Sequence, residues 1–241
     1  MSNTWIPERA MVIYAHPDDI EFTVAGTAAK WARHGCQVVY VVLTDGNAGS
    51  HEAGMTADAL ARIRRAEQQA AADVTGATCV FVGEPDCLLA PTLELRKKVV
   101  RLIRQYRPQA VICGDPRPFF YVDRYINHPD HRAAAQVALE AVFPAAELNL
   151  LYPDLLKEGL VGHKVNYVYI TSPQDANCYI DVADSIDLKV AALRQHVSQL
   201  GDWDPESRIK ERAAEIGRKV GFEYAEAFIR ITLHEPETED T

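Results

Sequence analysis

The chain has 241 residues, 48% of them hydrophobic and 24% charged, with a formal net charge of −9. That length and balance suit one globular domain with a sizeable core. The acidic excess, without any Lys/Arg-rich run, argues against a nucleic-acid binder, which needs a basic face to neutralise phosphates. No run of 18 apolar residues offers a membrane span.

In chain order, short apolar runs alternate with longer helical patterns. Residues 10–15 (AMVIYA), 37–43 (QVVYVVL), 78–83 (TCVFVG) and 110–114 (AVICG) read as strands covered on both faces. Residues 20–34, 56–75 and 92–106 read as helices, the first two ended by Gly35 and Gly76 and the third by Pro108. Further on, 131–143 reads as a helix cut off at Pro144, 164–171 and 178–182 as strands, and 184–200 and 205–219 as helices. The alternation predicts an α/β fold, a three-layer α/β/α, Rossmann-like arrangement around a mostly parallel sheet. One domain spans 1–241, with a core over 10–143, a less regular part over 144–234 and an acidic tail over 235–241.

In such sheets ligands bind beyond the carboxyl ends of the strands. Loops AHPDD, TDGNAG, GEPD and GDPRP follow the first four strands and open on one edge. The first carries His16, Asp18 and Asp19. A second cluster, NHPDHRA, carries His128, Asp130 and His131. Each motif alone reads equally well as a turn with an aspartate capping the next helix, Asp130 in the second case. Two of them in one α/β chain point to a metal. A catalytic zinc site uses three protein ligands and keeps a fourth position for water, and imidazole with carboxylate suits zinc. Asp18 and Asp19 are adjacent, so their side chains diverge: one serves as ligand while the other faces the water. His128 and His131, three apart at a helix start, share a face. One completes the site and the other is left for proton transfer or oxyanion stabilisation. Spacing does not choose between the members of either pair.

These residues carry a resemblance. AHPDDIE, TDG, HPDH, RIRRAE followed by FVGEPD, and YAEAF near the end resemble the LmbE-like, or PIG-L, family of zinc-dependent N-acetylglucosaminyl deacetylases, in particular its diacetylchitobiose deacetylase branch. The resemblance implies one zinc per chain, bound by His16, Asp19 and His131. It makes Asp18 the general base, His128 the oxyanion stabiliser or general acid, and Asp130 the residue that orients His128. It implies sugar binding by Arg64 and Asp86, with Arg65 the competing register for the arginine. Glu21 would hold the first loop by hydrogen bonds. The implied reaction is hydrolysis of the acetamide of an N-acetylglucosamine-type amino sugar or its conjugate, by a homo-oligomer, trimer or hexamer. The chain departs from the family where Ala25 replaces a glycine and where Glu67-Gln68 stands for Glu-Leu.

Other readings stay open. One is an amidase for a larger acyl group or a thiol–sugar conjugate. Another is a catalytically silent sugar- or nucleotide-binding α/β protein, though AHPDDIE has no Gly-rich phosphate turn. A two-metal phosphoesterase is a third. The five cysteines show no CxxC spacing and read as free thiols in a reducing compartment. With no apolar core in the first residues, a cytoplasmic protein is expected. The aromatic stretch 116–127 is placed to wall a pocket.

Overall fold

A computed structural model describes residues 5–121, 123–172 and 174–235; of the expected acidic tail, only Glu235 lies within the described residues. The elements in order are β1 (Arg9–Tyr14), α1 (Asp19–Thr23), α2 (Ala25–Arg33), β2 (Gln37–Thr44), α3 (Ala57–Thr75), β3 (Thr78–Glu84), α4 (Leu93–Tyr106), β4 (Ala110–Cys113), β5 (Phe120–Tyr121), β6 (Tyr125–Ile126), α5 (Pro129–Glu140), α6 (Pro153–Lys157), β7 (Tyr167–Thr171), β8 (Cys178–Asp181), α7 (Ile186–Leu193), α8 (Val197–Leu200), α9 (Glu206–Arg218) and β9 (Ala225–Thr232).

Seven strands form one sheet in the order β3-β2-β1-β4-β7-β9-β8. β1 is the third strand in that order, parallel to β2 and β4 on either side. Alternate residues of β1 enter different cores, as a period of two requires. Val12 and Tyr14 pack with Trp31, Leu193 and Ile209 on one face. Met11 and Ile13 pack with Val99, Ile103 and Val137 on the other. All four β1 side chains are buried, each contributing about 1.5–3 kcal/mol of hydrophobic stabilisation. The chain runs from β1 outward through β2 to β3 and then returns to β4 on β1's other side. The switch point therefore lies between β1 and β4, and a crevice opens at their carboxyl ends. Among the described residues, no helix is long and apolar enough to cross a membrane.

The structure corrects several sequence expectations. The helix expected over 20–34 is two helices, broken at Val24 (φ −127°, ψ 7°). The Glu226 carboxylate accepts the Gly26 and Thr27 N–H groups at 3.1 and 2.8 Å and starts α2 afresh. A Cβ at Gly26 would meet that carboxylate at 2.9 Å. The helix expected over 131–143 starts earlier, at Pro129. Asp130 is not its N-cap: His128 is, its Nδ1 accepting the Asp130 N–H at 3.2 Å. A π-helical turn follows over Ala141–Ala145, with Phe143 extended before Pro144. The helix expected over 184–200 is interrupted ahead of α8 at His196. β9 was not expected. It is antiparallel to both neighbours and buries Glu226 against Lys189 Nζ at 2.6 Å, an ion pair inside an otherwise apolar stretch.

Candidate active site

The β1–α1 loop is a turn locked at both ends. The Asp19 N–H donates to the His16 carbonyl (3.3 Å), and Asp19 Oδ2 accepts the His16 N–H (2.8 Å). Between them Asp18 adopts φ 101°, left-handed backbone for a non-glycine residue, at a cost of about 1–3 kcal/mol. The turn sends the two aspartates different ways. Asp19 Oδ2 lies 3.4 Å from His16 Nδ1 and Asp19 Oδ1 lies 3.0 Å from His131 Nε2. Asp18 instead meets the Arg64 guanidinium at 3.2 Å.

His131, from the first turn of α5, and His128, its cap, complete a cluster of three imidazoles. Ring centroids are 4.7 Å apart for His16 and His128, 5.1 Å for His16 and His131, and 5.3 Å for His128 and His131. One nitrogen of each lies within 4.8 Å of the others. The second nitrogen of His16 is occupied: Nε2 faces Asp86 Oδ1 at 3.0 Å and Asp130 Oδ2 at 3.2 Å. Asp130 is fully buried and also accepts the N–H groups of Cys87 (2.8 Å) and Leu89 (3.2 Å), tying the β3–α4 loop to α5. Its carboxylate is 4.0 Å from His128 Nδ1, so it orients His128 through its backbone N–H. Because Nδ1 accepts that N–H, the neutral His128 ring carries its proton on Nε2.

Arg64 is buried, whereas the Arg65 side chain is 53% exposed and pairs with Asp45. Of the two, Arg64 is the one in contact with Asp18. Arg64 donates to the carbonyls of Pro17 (2.5 Å) and Gly46 (3.0 Å) and to Asp18. Gly46, in the TDG loop, has φ +60°, and a Cβ there would sit 2.7 Å from the guanidinium. Asp86 is likewise engaged, accepting the Ala48 N–H at 3.2 Å as well as facing His16.

Glu21 and two residues beyond the predicted set stand behind these. Gln68 Oε1 accepts the Asp18 N–H at 3.0 Å, and its amide donates to Glu21 Oε1 at 3.0 Å. Glu21 Oε2 lies 3.2 Å from His196 Nε2. Gln68, Glu21 and His196 are all fully buried. Glu21 thus holds the loop as expected, through Gln68. The signal for Gln68 was its place one helical turn after Arg64. His196 had none.

The two adjacent carboxylates are pushed apart electrostatically. Burial opposes ionisation of Asp19, but His131 and His16 outweigh it and hold it well below the usual range. Burial, with Asp19 beside it, raises Asp18 to about 7 despite Arg64. Paired carboxylates separated in this way serve as a permanent anion and a proton acceptor. Burial also opposes charge on His16, yet Asp130, Asp19 and Asp86 raise it to about 12. Burial and His16 lower His128. Cys87 Sγ lies 3.7 Å from His128 Nε2, which has the look of a thiol–imidazole nucleophile. Burial and Asp86 raise that thiol, however, so it is no activated thiolate.

A mostly parallel α/β sheet with His-Pro-Asp-Asp after its first strand and His-Pro-Asp-His at the start of a later helix defines a class. The chain matches the PIG-L family, GlcNAc-PI de-N-acetylase, over residues 11–142 and belongs to it. It is 32% identical over 226 residues to a diacetylchitobiose deacetylase of Thermococcus kodakarensis, covering 91% of this chain and 81% of that one. Its fold resembles N,N'-diacetylchitobiose deacetylase from Pyrococcus horikoshii, with a TM-score of 0.85 and 28% identity, over 97% of this chain and 88% of that one. It also resembles GalB, the 4-carboxy-2-hydroxymuconate hydratase from Pseudomonas putida KT2440, with a TM-score of 0.79 and 22% identity, over 96% and 99% of the two chains. That second likeness is of fold alone, and one fold hosts several chemistries, so activity must be argued from the site.

Proposed function

We propose that this protein is a zinc-dependent N-deacetylase that hydrolyses the acetamide of an N-acetylglucosamine-type sugar or its conjugate. The observation that carries the reading is the meeting of His16, Asp19 and His131 beside a separately held Asp18. The family and the named activities of the two deacetylase relatives support it.

The donor set fits zinc: two imidazoles and one carboxylate held below its usual range. His16, Asp19 and His131 would hold the ion, one per chain. Asp86 and Asp130 brace the far nitrogen of His16, as carboxylates behind metal-bound histidines do. When bound, zinc supplies Lewis acidity toward the acetamide carbonyl and toward water.

The chain's own residues do the rest. Asp18 takes the proton from the attacking water; its rise to about 7 leaves it basic near neutrality. Arg64 and Gln68 fix its position from the side chain and the backbone. His128 presents Nε2–H to the developing oxyanion, the role that its Nδ1 contact favours over general acid. Asp130 positions both His128 and His16. Arg64 and Asp86 are engaged with Asp18, Gly46, His16 and Ala48. Sugar hydroxyls would reach them by exchanging with those contacts. Asp18 then returns the proton to the leaving nitrogen as the C–N bond breaks, and the products are acetate and a free amine.

We read the protein as a cytoplasmic homo-oligomer. Five free cysteines suit a reducing compartment. Phe119, Phe120, Tyr125 and Ile126 of the exposed β5–β6 region beside His128 offer an apolar patch to a second copy or to a sugar face.

The test is acetate release by the zinc-loaded protein from N-acetylglucosamine, diacetylchitobiose and an N-acetylglucosaminyl conjugate. Release from at least one substrate is expected. A zinc-loaded protein inert toward all three would overturn the substrate class.

A further inference from the structure

Cys87 lies beside the site and has no part in the proposed reaction. It follows Asp86 directly, and neighbouring side chains ordinarily diverge. Here Cys87 has φ +64°, left-handed for a non-glycine residue, and the turn brings both side chains to one side. The loop is pinned there. The Cys87 N–H donates to Asp130 at 2.8 Å, and the Asp86 N–H donates to Asn47 Oδ1 at 3.2 Å. As a result a carboxylate oxygen of Asp86, Cys87 Sγ and a nitrogen of His128 all lie within 4.8 Å of one another. None of the three belongs to the His16, Asp19 and His131 set.

A thiolate with an imidazole and a carboxylate is a donor set for zinc or cadmium, and a poor one for magnesium or calcium. Three protein donors leave a fourth position for water. Cys87 is exposed, so an ion enters from solvent without moving the fold. Asp86 Oδ1 and Oδ2 already face His16 and the Ala48 N–H, but a carboxylate has about four lone-pair sites and takes a cation beside them.

We propose that Asp86, Cys87 and His128 form a second site, for a thiophilic divalent cation such as zinc or cadmium, and that filling it stops turnover. The inhibitory half rests on the function proposed above: a cation on His128 Nε2 displaces the proton that would face the oxyanion and shifts the ring to its Nδ1–H tautomer, at the expense of the Asp130 N–H contact. The binding half stands on the geometry alone.

The protein, loaded with one equivalent of zinc, is titrated with cadmium. Two signals are followed together: the ultraviolet charge-transfer band of a cadmium–thiolate bond, and acetate release. A band saturating at one added equivalent is expected, with turnover lost in parallel. Cys87→Ser should lack the band, keep its turnover with one zinc, and need at least about tenfold more cadmium for inhibition, since losing even an outer-shell partner costs that much metal affinity. Cys87→Gly, which suits the left-handed backbone, repeats the test should the serine variant fold poorly. A wild-type protein without the band, or a band or inhibition unchanged in both variants, overturns the site. A Cys87-dependent band on a protein inert toward every substrate supports the site and counts against the deacetylase reading instead.

Discussion

The side-chain oxygen of Gln68 accepts the backbone N–H of Asp18 at 3.0 Å, and this contact holds a non-glycine residue at φ 101° beside the candidate metal ligands. Its other end donates to Glu21, which faces His196. The proposed base is therefore positioned from its backbone by residues drawn from α1, α3 and the start of α8.

Gln68→Leu should thus cost more here than its size suggests. It orphans the Asp18 N–H and Glu21 Oε1 together, each unpaired buried group costing about 1–3 kcal/mol. We expect a stability loss of about 2–4 kcal/mol in urea titrations. Because the strained turn is what aims Asp18, kcat should fall about 10-fold or more with KM little changed. Zinc content should stay at one per chain. Normal kcat in a merely destabilised protein would assign Gln68 to packing alone.

Asp18→Asn separates base from ligand. The amide cannot accept the water's proton, while His16, Asp19 and His131 are untouched. Turnover should fall by about 10²–10⁴ with the zinc content of the wild type, read by elemental analysis on the same sample. A variant that loses its zinc would move Asp18 into the ligand set.

The core strands were legible because β1, β2 and β4 are buried on both faces, and a continuous run of Val, Ile and aromatic residues has no other stable place in this fold. That the loops after the first four strands open on one edge followed from the alternation of strands and helices. β9 was not legible because its inward-facing Glu226 breaks the apolar pattern, and the group that makes it tolerable, Lys189, lies 37 residues away. The β5–β6 pairing was hidden by its two-residue strands and exposed side chains. The histidines and aspartates of the site were legible from two short motifs; their supports were not. Gln68 reaches Asp18 across 50 residues, and His196 reaches Glu21 across 175. No local pattern marks such partners. A buried arginine in a helix, Arg64, reads locally as a solvated one until the carbonyls of Pro17 and Gly46 are seen around it.

His131→Ala should strip the metal. Its Nε2 is one of the two imidazole nitrogens that close on Asp19, at 3.0 Å, and alanine leaves two donors in place of three. After dialysis against a weak chelator the variant should retain less than about a tenth of the wild-type zinc, given losses of 10–100-fold in affinity even for outer partners. The fold should persist, since His131 is part-exposed on the first turn of α5. A fully metallated variant would sink the ligand assignment.

His163 gives the protein a pH-dependent stability away from the site. It is buried, with Nε2 2.8 Å from the Pro108 carbonyl. Burial, against the pull of that carbonyl, lowers its pKa from the ordinary 6.5. The folded chain therefore binds this proton less readily than the unfolded chain. The imidazole's contribution is complete above pH 6.5 and is lost as pH falls below it, because the unfolded state takes up a proton that the folded state refuses. His163→Gln keeps an N–H for the Pro108 carbonyl and does not titrate. Between pH 7.5 and 5.5 the wild type should lose stability relative to this variant, by no more than about 1.4 kcal/mol per pH unit. Urea midpoints for both proteins across that range give the difference directly. A wild type that gains on the variant toward acid would show that the buried imidazole is charged rather than neutral, with a carboxylate rather than the Pro108 carbonyl as its effective partner.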